Sequence, residues 1–222
     1  MSRDFLTVED HPKVGAIIGG VFHPKRLLPE NVFTKEYKFT LLANFDYVFG
    51  TGLVKIIHDS RFCSKTAKVL LSVLDPEPIS YFYKHFDRIN SFCFDADISE
   101  EDYLKLLWRD PGNRNDALIF HAETVVWIPD NGRWAIWGER SREIAVIGFD
   151  DPRLAEFLLN EDGYWIDAET AITEDFARAP YRDGKAPEDF ARALIENYGS
   201  RKDLEAKLAA ADVRLKPGIW AD

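Results

Sequence analysis

Five histidines, His11, His23, His58, His85 and His121, carry the widest chemical range in this chain. Two of them stand beside carboxylates, in His58-Asp59-Ser60 and His85-Phe86-Asp87. On a strand, His85 and Asp87 would share one face, because successive side chains alternate. A cation held by His58, Asp59, His85 and Asp87, with one position left open for water, would make the chain a metal-assisted hydrolase. No His-Glu-x-x-His or comparable spacing accompanies them, and isolated histidines are more often surface or hydrogen-bonded groups. Ser60, Cys63 and Ser64 lie near His58, but no Gly-x-Ser-x-Gly elbow is present. Arg61 and Lys65 would lower the Cys63 thiol pKa if it were exposed, whereas a buried structural cysteine would be inert. The stretch Val14-Gly15-Ala16-Ile17-Ile18-Gly19-Gly20-Val21 lacks the lysine and hydroxyl of a phosphate loop. Its glycines fit no dinucleotide fingerprint. It reads as a strand with a bulge or a close backbone approach. No cofactor is called for.

The element that must position everything else is a meander over 117–149. The run Ala117 to Ile128 is rich in β-branched and aromatic residues, which suit a pleated surface. It ends at Pro129-Asp130-Asn131-Gly132, and Asn-Gly is a strong signal for a two-residue hairpin loop. That loop sets Trp127 opposite Ile136 and Val126 opposite Trp137. One face then carries Val125, Trp127, Trp134 and Ile136, and the other Val126, Ile128, Ala135 and Trp137. Both are apolar, so the hairpin is expected to be covered on two sides. The charged turn Glu139 to Glu143 leads to Ile144-Ala145-Val146-Ile147-Gly148-Phe149, a strand with no polar residue.

The segment Gly132 to Phe149 (GRWAIWGERSREIAVIGF) resembles a hairpin of small bacterial proteins, including immunity proteins of polymorphic toxin systems. In these a Trp-Ala/Gly-Ile strand passes through a charged turn into an apolar strand. The likeness covers under a tenth of the chain and includes no catalytic motif. It implies a bacterial protein that neutralises a cognate toxin by protein–protein binding.

The balance of charge points the same way. The net charge is −10, and 46% of the residues are hydrophobic. Residues 1–94 hold 12 Lys+Arg against 10 Asp+Glu, and residues 95–222 hold 16 against 28. A local surplus of twelve negative charges disfavours nucleic acid and anionic membranes, which need basic groups to neutralise phosphate. It suits a basic protein partner, although acidic surfaces also serve plain solubility. No apolar run approaches the length of a membrane helix. The N-terminus lacks an export signal, and Cys63 and Cys93 form no metal-type pair. Free thiols and no leader imply a cytoplasmic protein.

Around the meander, Tyr37-x-Phe39-x-Leu41 reads as strand, and Leu42 to Phe45 is ambiguous. Thr66 to Leu74 is a second ambiguous run. Ile79 to Phe94 reads as two strands around Asp87 to Asn90. Ser99 and Asp102 resemble a capping box, opening a helix with Tyr103, Leu104, Leu107 and Trp108 on its core stripe. After Asp150 the chain becomes helical. Asp151-Pro152 opens one helix, and a second starts near Asp167 or Thr173 and stops before Pro180. Pro187 opens a third, with Phe190, Leu194 and Tyr198 on one stripe, and Ser200 with Asp203 caps a fourth. The fold class is α+β: an antiparallel sheet with the meander at 117–149, flanking helices and a helical C-terminal segment. With no linker or repeat, residues 1–222 read as one composite domain, with a soft boundary near 150.

The function expected from the residues is non-enzymatic binding of a basic protein, an immunity-type inhibitor in its specific form. The contact residues would be Asp130, Trp134, Trp137, Glu139, Arg140 and Glu143, which mix aromatics and charge as binding hot spots do. Tryptophans in strands more often belong to a core, and that alternative stands beside the first.

Overall fold

A computed structural model describes residues 5–58 and 66–216. Its centre is a six-stranded antiparallel sheet in the order β1-β6-β5-β4-β2-β3. The strands are β1 Phe39–Asn44, β2 Lys68–Asp75, β3 Ser91–Asp95, β4 Thr124–Pro129, β5 Trp134–Glu139 and β6 Ile144–Phe149. With helices on both faces, the fold is α+β. The Asn131-Gly132 loop gives the expected register, Val126 opposite Trp137 and Trp127 opposite Ile136. Gly132 takes φ 60°, the left-handed conformation that a tight hairpin requires. Glycine is also required at 138, where a Cβ would lie 2.9 Å from the Phe45 ring and 3.2 Å from Trp127.

Every residue of β4, β5 and β6 is buried, because each side of the sheet has its own core. Trp127, Trp134, Ile136 and Phe149 share the first core with Phe45 and Phe49 and with Leu53–His58. Helix α2, Glu100–Leu107, adds Tyr103, Leu106 and Leu107 to that side. The opposite face carries Leu42, Val126, Ile128, Trp137 and Val146. It is covered by α1, His11–Val21, and by α3, Glu188–Tyr198. Helix α4, Arg201–Ala210, returns to the first side with Leu204 and Leu208. Burial of one large apolar side chain stabilises by roughly 1.5–3 kcal/mol, most of it offset by chain entropy.

The C-terminal helices begin where their caps put them. Asp151 accepts from Arg153 N, Asp167 from Thr170 N and Ser200 from Asp203 N. Both sheet edges are engaged by other chain. On β1, Leu42 and Ile166 exchange N–H···O bonds of 2.7 and 2.8 Å. On β3, Leu6 N donates to Ser91 O, and Ile89 N donates to Leu6 O.

Several local expectations are corrected. Val14 to Val21 belongs to a helix, with Pro12 in its first turn, where the missing N–H costs nothing. Val14 and Ile18 bury its inner face, one turn apart, while Gly15, Gly19 and Gly20 lie outside. Ile79 to Phe86 is helical, not strand, opened by Pro78 and capped by Glu77, which accepts from Ser80 N. Residues Leu118–His121 form a helical turn ahead of β4, so the first meander strand is shorter than its composition suggests. The stripe of α2 uses Leu106 in place of Trp108, which falls at the C-cap and is 48% exposed.

Candidate functional site

The residues expected to meet a partner occupy unequal positions. Trp134 and Trp137 are 2% and 0% exposed, so in this fold neither offers aromatic surface, a correction that follows from the covered faces of the sheet. Glu139, expected among the contact residues, is 2% exposed. Its Oε1 accepts from Trp137 Nε1 at 2.8 Å and from Leu28 N at 2.7 Å. Burial pushes this carboxyl above its ordinary value, and the two N–H donors pull against that. Asp130 is exposed, with its carboxylate accepting from Ala67 N and Lys68 N. Glu143 is half-buried at φ 59°. Arg140 is half-buried, its guanidinium lying 5.4 Å from the Phe45 ring centre and 5.3 Å from that of Phe49. Its Nη2 donates to Ile119 O at 3.1 Å.

The residues of the hydrolase alternative are not drawn onto one strand. His85 closes a helical turn, and Asp87 follows it in the left-handed region at φ 54°. His58 is exposed at the end of its helix. Asp59, Ser60, Cys63 and Ser64 lie outside the described residues. Among the described residues no three His, Cys, Asp or Glu side chains are grouped to hold a metal ion. Cys93 is half-buried, and burial raises its thiol pKa, which disfavours a thiolate.

A surface that composition did not single out lies where β4 begins and β5 ends. The indole of Trp108 meets the ring of Phe120 edge-on, with centroids 5.1 Å apart and planes at 89°. Phe120 is 49% exposed and Tyr81, nearby, 42%. The Tyr81 hydroxyl faces the Asp116 carboxylate, which raises its pKa above that of a free phenol. Around this corner three buried polar atoms have no hydrogen-bond partner among the described residues: Asp116 Oδ2, His121 Nε2 and Arg140 Nε. The other ring nitrogen of His121 lies 3.1 Å from Ala117 O, and burial lowers the imidazole pKa. Unpaired groups of this kind are uncommon in finished interiors. The stretch 95–123 that carries the corner holds eight acidic and three basic residues. Helical period alone places Trp108 on the stripe, four residues after Leu104; it leaves the stripe because the helix ends at Leu107.

On the opposite face of the sheet, a cleft of about 230 Å³ separates α1 from the β2–β3 edge. Its walls include Val14, Ile18, Leu74 and Ile89, and its mouth His11, Lys25 and Glu77. Among the described residues no helix is long and apolar enough to cross a membrane. No protein-family model, no curated protein and no solved structure matches this chain.

Proposed function

We propose that this chain is a non-enzymatic binding protein that holds a basic protein partner. Its specific form is an immunity-type inhibitor of a cognate bacterial toxin, acting in the cytoplasm. The observation that carries the reading is the exposed Trp108–Phe120 pair, set in an acidic stretch. A tryptophan half in water gains most when a partner desolvates it, and surrounding carboxylates steer a basic surface toward it. Asp110 and Asp116 lie between the two in sequence, and Glu100 and Glu101 lie on the first turn of α2. Asp130 lies at the other end of the hairpin, between β4 and β5, while Glu143 belongs to the turn after β5 that also carries Arg140.

Calorimetry against a toxin encoded beside the gene tests the proposal. Expected are one-to-one binding, an association rate that falls steeply with salt, and a loss of roughly 30-fold or more in affinity for Trp108→Ala, the scale of a hot-spot truncation. Absence of binding to any neighbour-encoded protein, or binding indifferent to Trp108→Ala and Phe120→Ala, overturns it.

A further inference from the structure

Phe120, one of the two rings of the exposed corner, is mounted on the short helical turn Leu118–His121. Its N–H donates to Ala117 O at 3.0 Å. His121 Nδ1 lies 3.1 Å from the same carbonyl. A carbonyl can only accept, so Nδ1 holds the hydrogen of the neutral imidazole and Nε2 keeps a bare lone pair. From the strand side, Arg140 Nη2 donates to Ile119 O at 3.1 Å. Phe120 thus stands between two residues whose ties to the rest of the chain depend on charge.

Among the described residues, His121 Nε2 and Asp116 Oδ2 are buried acceptors with no donor, and Arg140 Nε is a buried donor with no acceptor. Such atoms are costly to bury. A proton on Nε2 would turn that nitrogen into a donor, for which Asp116 Oδ2 is an open acceptor. Two carboxylates favour the proton, Asp116 on the preceding turn and Glu123 just after the ring. Arg140, on the turn after β5, opposes it, as does burial, which outweighs the carboxylates. Phe82 lies against the imidazole, with centroids 5.7 Å apart, and brings no charge. Tyr81 beside it reaches Asp116 through its hydroxyl, and the His85 ring lies 4.6 Å from that of Tyr81.

We infer that His121 is an acid-operated release for the corner: protonated, its Nε2 bonds Asp116 and its charge pushes Arg140 away from Ile119 O. Asp116 gives up the Tyr81 hydroxyl, the turn shifts, and Phe120 loses its edge-on contact with Trp108. This rests on the reading of the corner as a contact surface, so a partner held at neutral pH is let go in acid.

Proton–nitrogen correlation spectra of the free, intact chain, recorded from about pH 8 to about pH 4.5, test the inference. The Trp108 indole signal is assigned by its loss in Trp108→Phe, and the His121 imidazole signal by its loss in His121→Phe. Expected is a shift of the indole signal with the same midpoint as the imidazole, below 6.5. His121→Phe, which keeps a ring against Phe82, should leave the indole signal flat through that range. His121→Gln should do the same, and it guards against a packing effect of the larger ring. Asp116→Asn removes an attracting charge and should move both midpoints to lower pH. His85→Gln should change neither. An indole signal indifferent to the His121 titration overturns the inference. So does a titration that survives in both His121 variants, or one abolished by His85→Gln. Calorimetry with the neighbour-encoded toxin reads the consequence. Affinity should fall by about tenfold for each pH unit below the imidazole midpoint, because only the neutral ring leaves the corner competent. It should hold in His121→Phe. Toxin binding with a flat indole signal defeats the release alone, whereas a titrating indole in a chain that binds no toxin defeats the contact reading alone.

Discussion

The tryptophans of the meander and the tryptophan of α2 show two ways of placing the same side chain. In the meander the indole N–H groups of Trp127 and Trp137 are both matched inside the protein. Trp127 Nε1 donates to the Tyr103 hydroxyl at 3.2 Å, and that hydroxyl lies 3.3 Å from Phe49 O, to which it donates. Trp137 Nε1 donates to Glu139. At the corner, Trp108 and Phe120 remain half in water beside three unpaired buried atoms. The corner holds three of the buried polar atoms that lack a partner among the described residues, and the others belong to Asn90, Asp162, Trp165 and Arg201. Buried polar networks add most when every member is paired. The corner lacks that completion and also exposes its aromatic rings, and the exposure is what distinguishes it from a core.

The contrast can be broken hardest at Trp137. Trp137→Ala should cost about 3–5 kcal/mol, the range for large aromatic truncations, read as a lowered midpoint in urea unfolding. Next comes Glu139. Replacing it by leucine leaves the Leu28 and Trp137 N–H groups without an acceptor, at roughly 2–4 kcal/mol for the pair. Glu139→Gln keeps an acceptor oxygen and should be near neutral at pH 7. It also carries a sign. Because the folded carboxyl titrates above its ordinary value, its linked stability is full below the unfolded value and is lost as pH rises through the folded one. Glu139→Gln should remove that slope from a pH series of unfolding midpoints.

His121 has the opposite sign. Its folded pKa lies below 6.5, chiefly through burial, so its linked stability is present above 6.5 and falls away as pH drops through the folded value. His121→Phe, which keeps a ring against Phe82, should flatten the acid side of the same curve. Trp108→Ala is the smallest expected stability change, within about 0.5 kcal/mol, as for most exposed positions. A large loss there would mean that the corner is part of the core after all.

The hairpin was legible because three signals agreed: Asn131-Gly132, the apolar run on each side of it, and two apolar faces. The same two faces already required Trp134 and Trp137 to be buried, so a surface role for them conflicted with the pattern itself. The C-terminal helices were legible through Asp151, Pro187 and Ser200, because caps act locally. The N-terminal helix was obscured by Gly15, Gly19 and Gly20, which are poor helix formers and break the apolar period. Residues 79–86 were obscured by Ile79, Tyr81, Phe82, Tyr83 and Phe86, whose types favour strands while Pro78 and Glu77 start a helical turn. The cleft beside α1 was beyond reach for another reason: Val14 and Ile18 meet Leu74 and Ile89 only through the fold.

The two borders of the sheet carry a last implication. Where Ile166 bonds to Leu42 and Leu6 to Ser91, the backbone positions that would template an incoming strand are already taken by the chain itself. Growth by edge-to-edge addition, whether into a fibril or onto an extended peptide, is therefore blocked at those points. At those points, recognition of a partner is left to side chains.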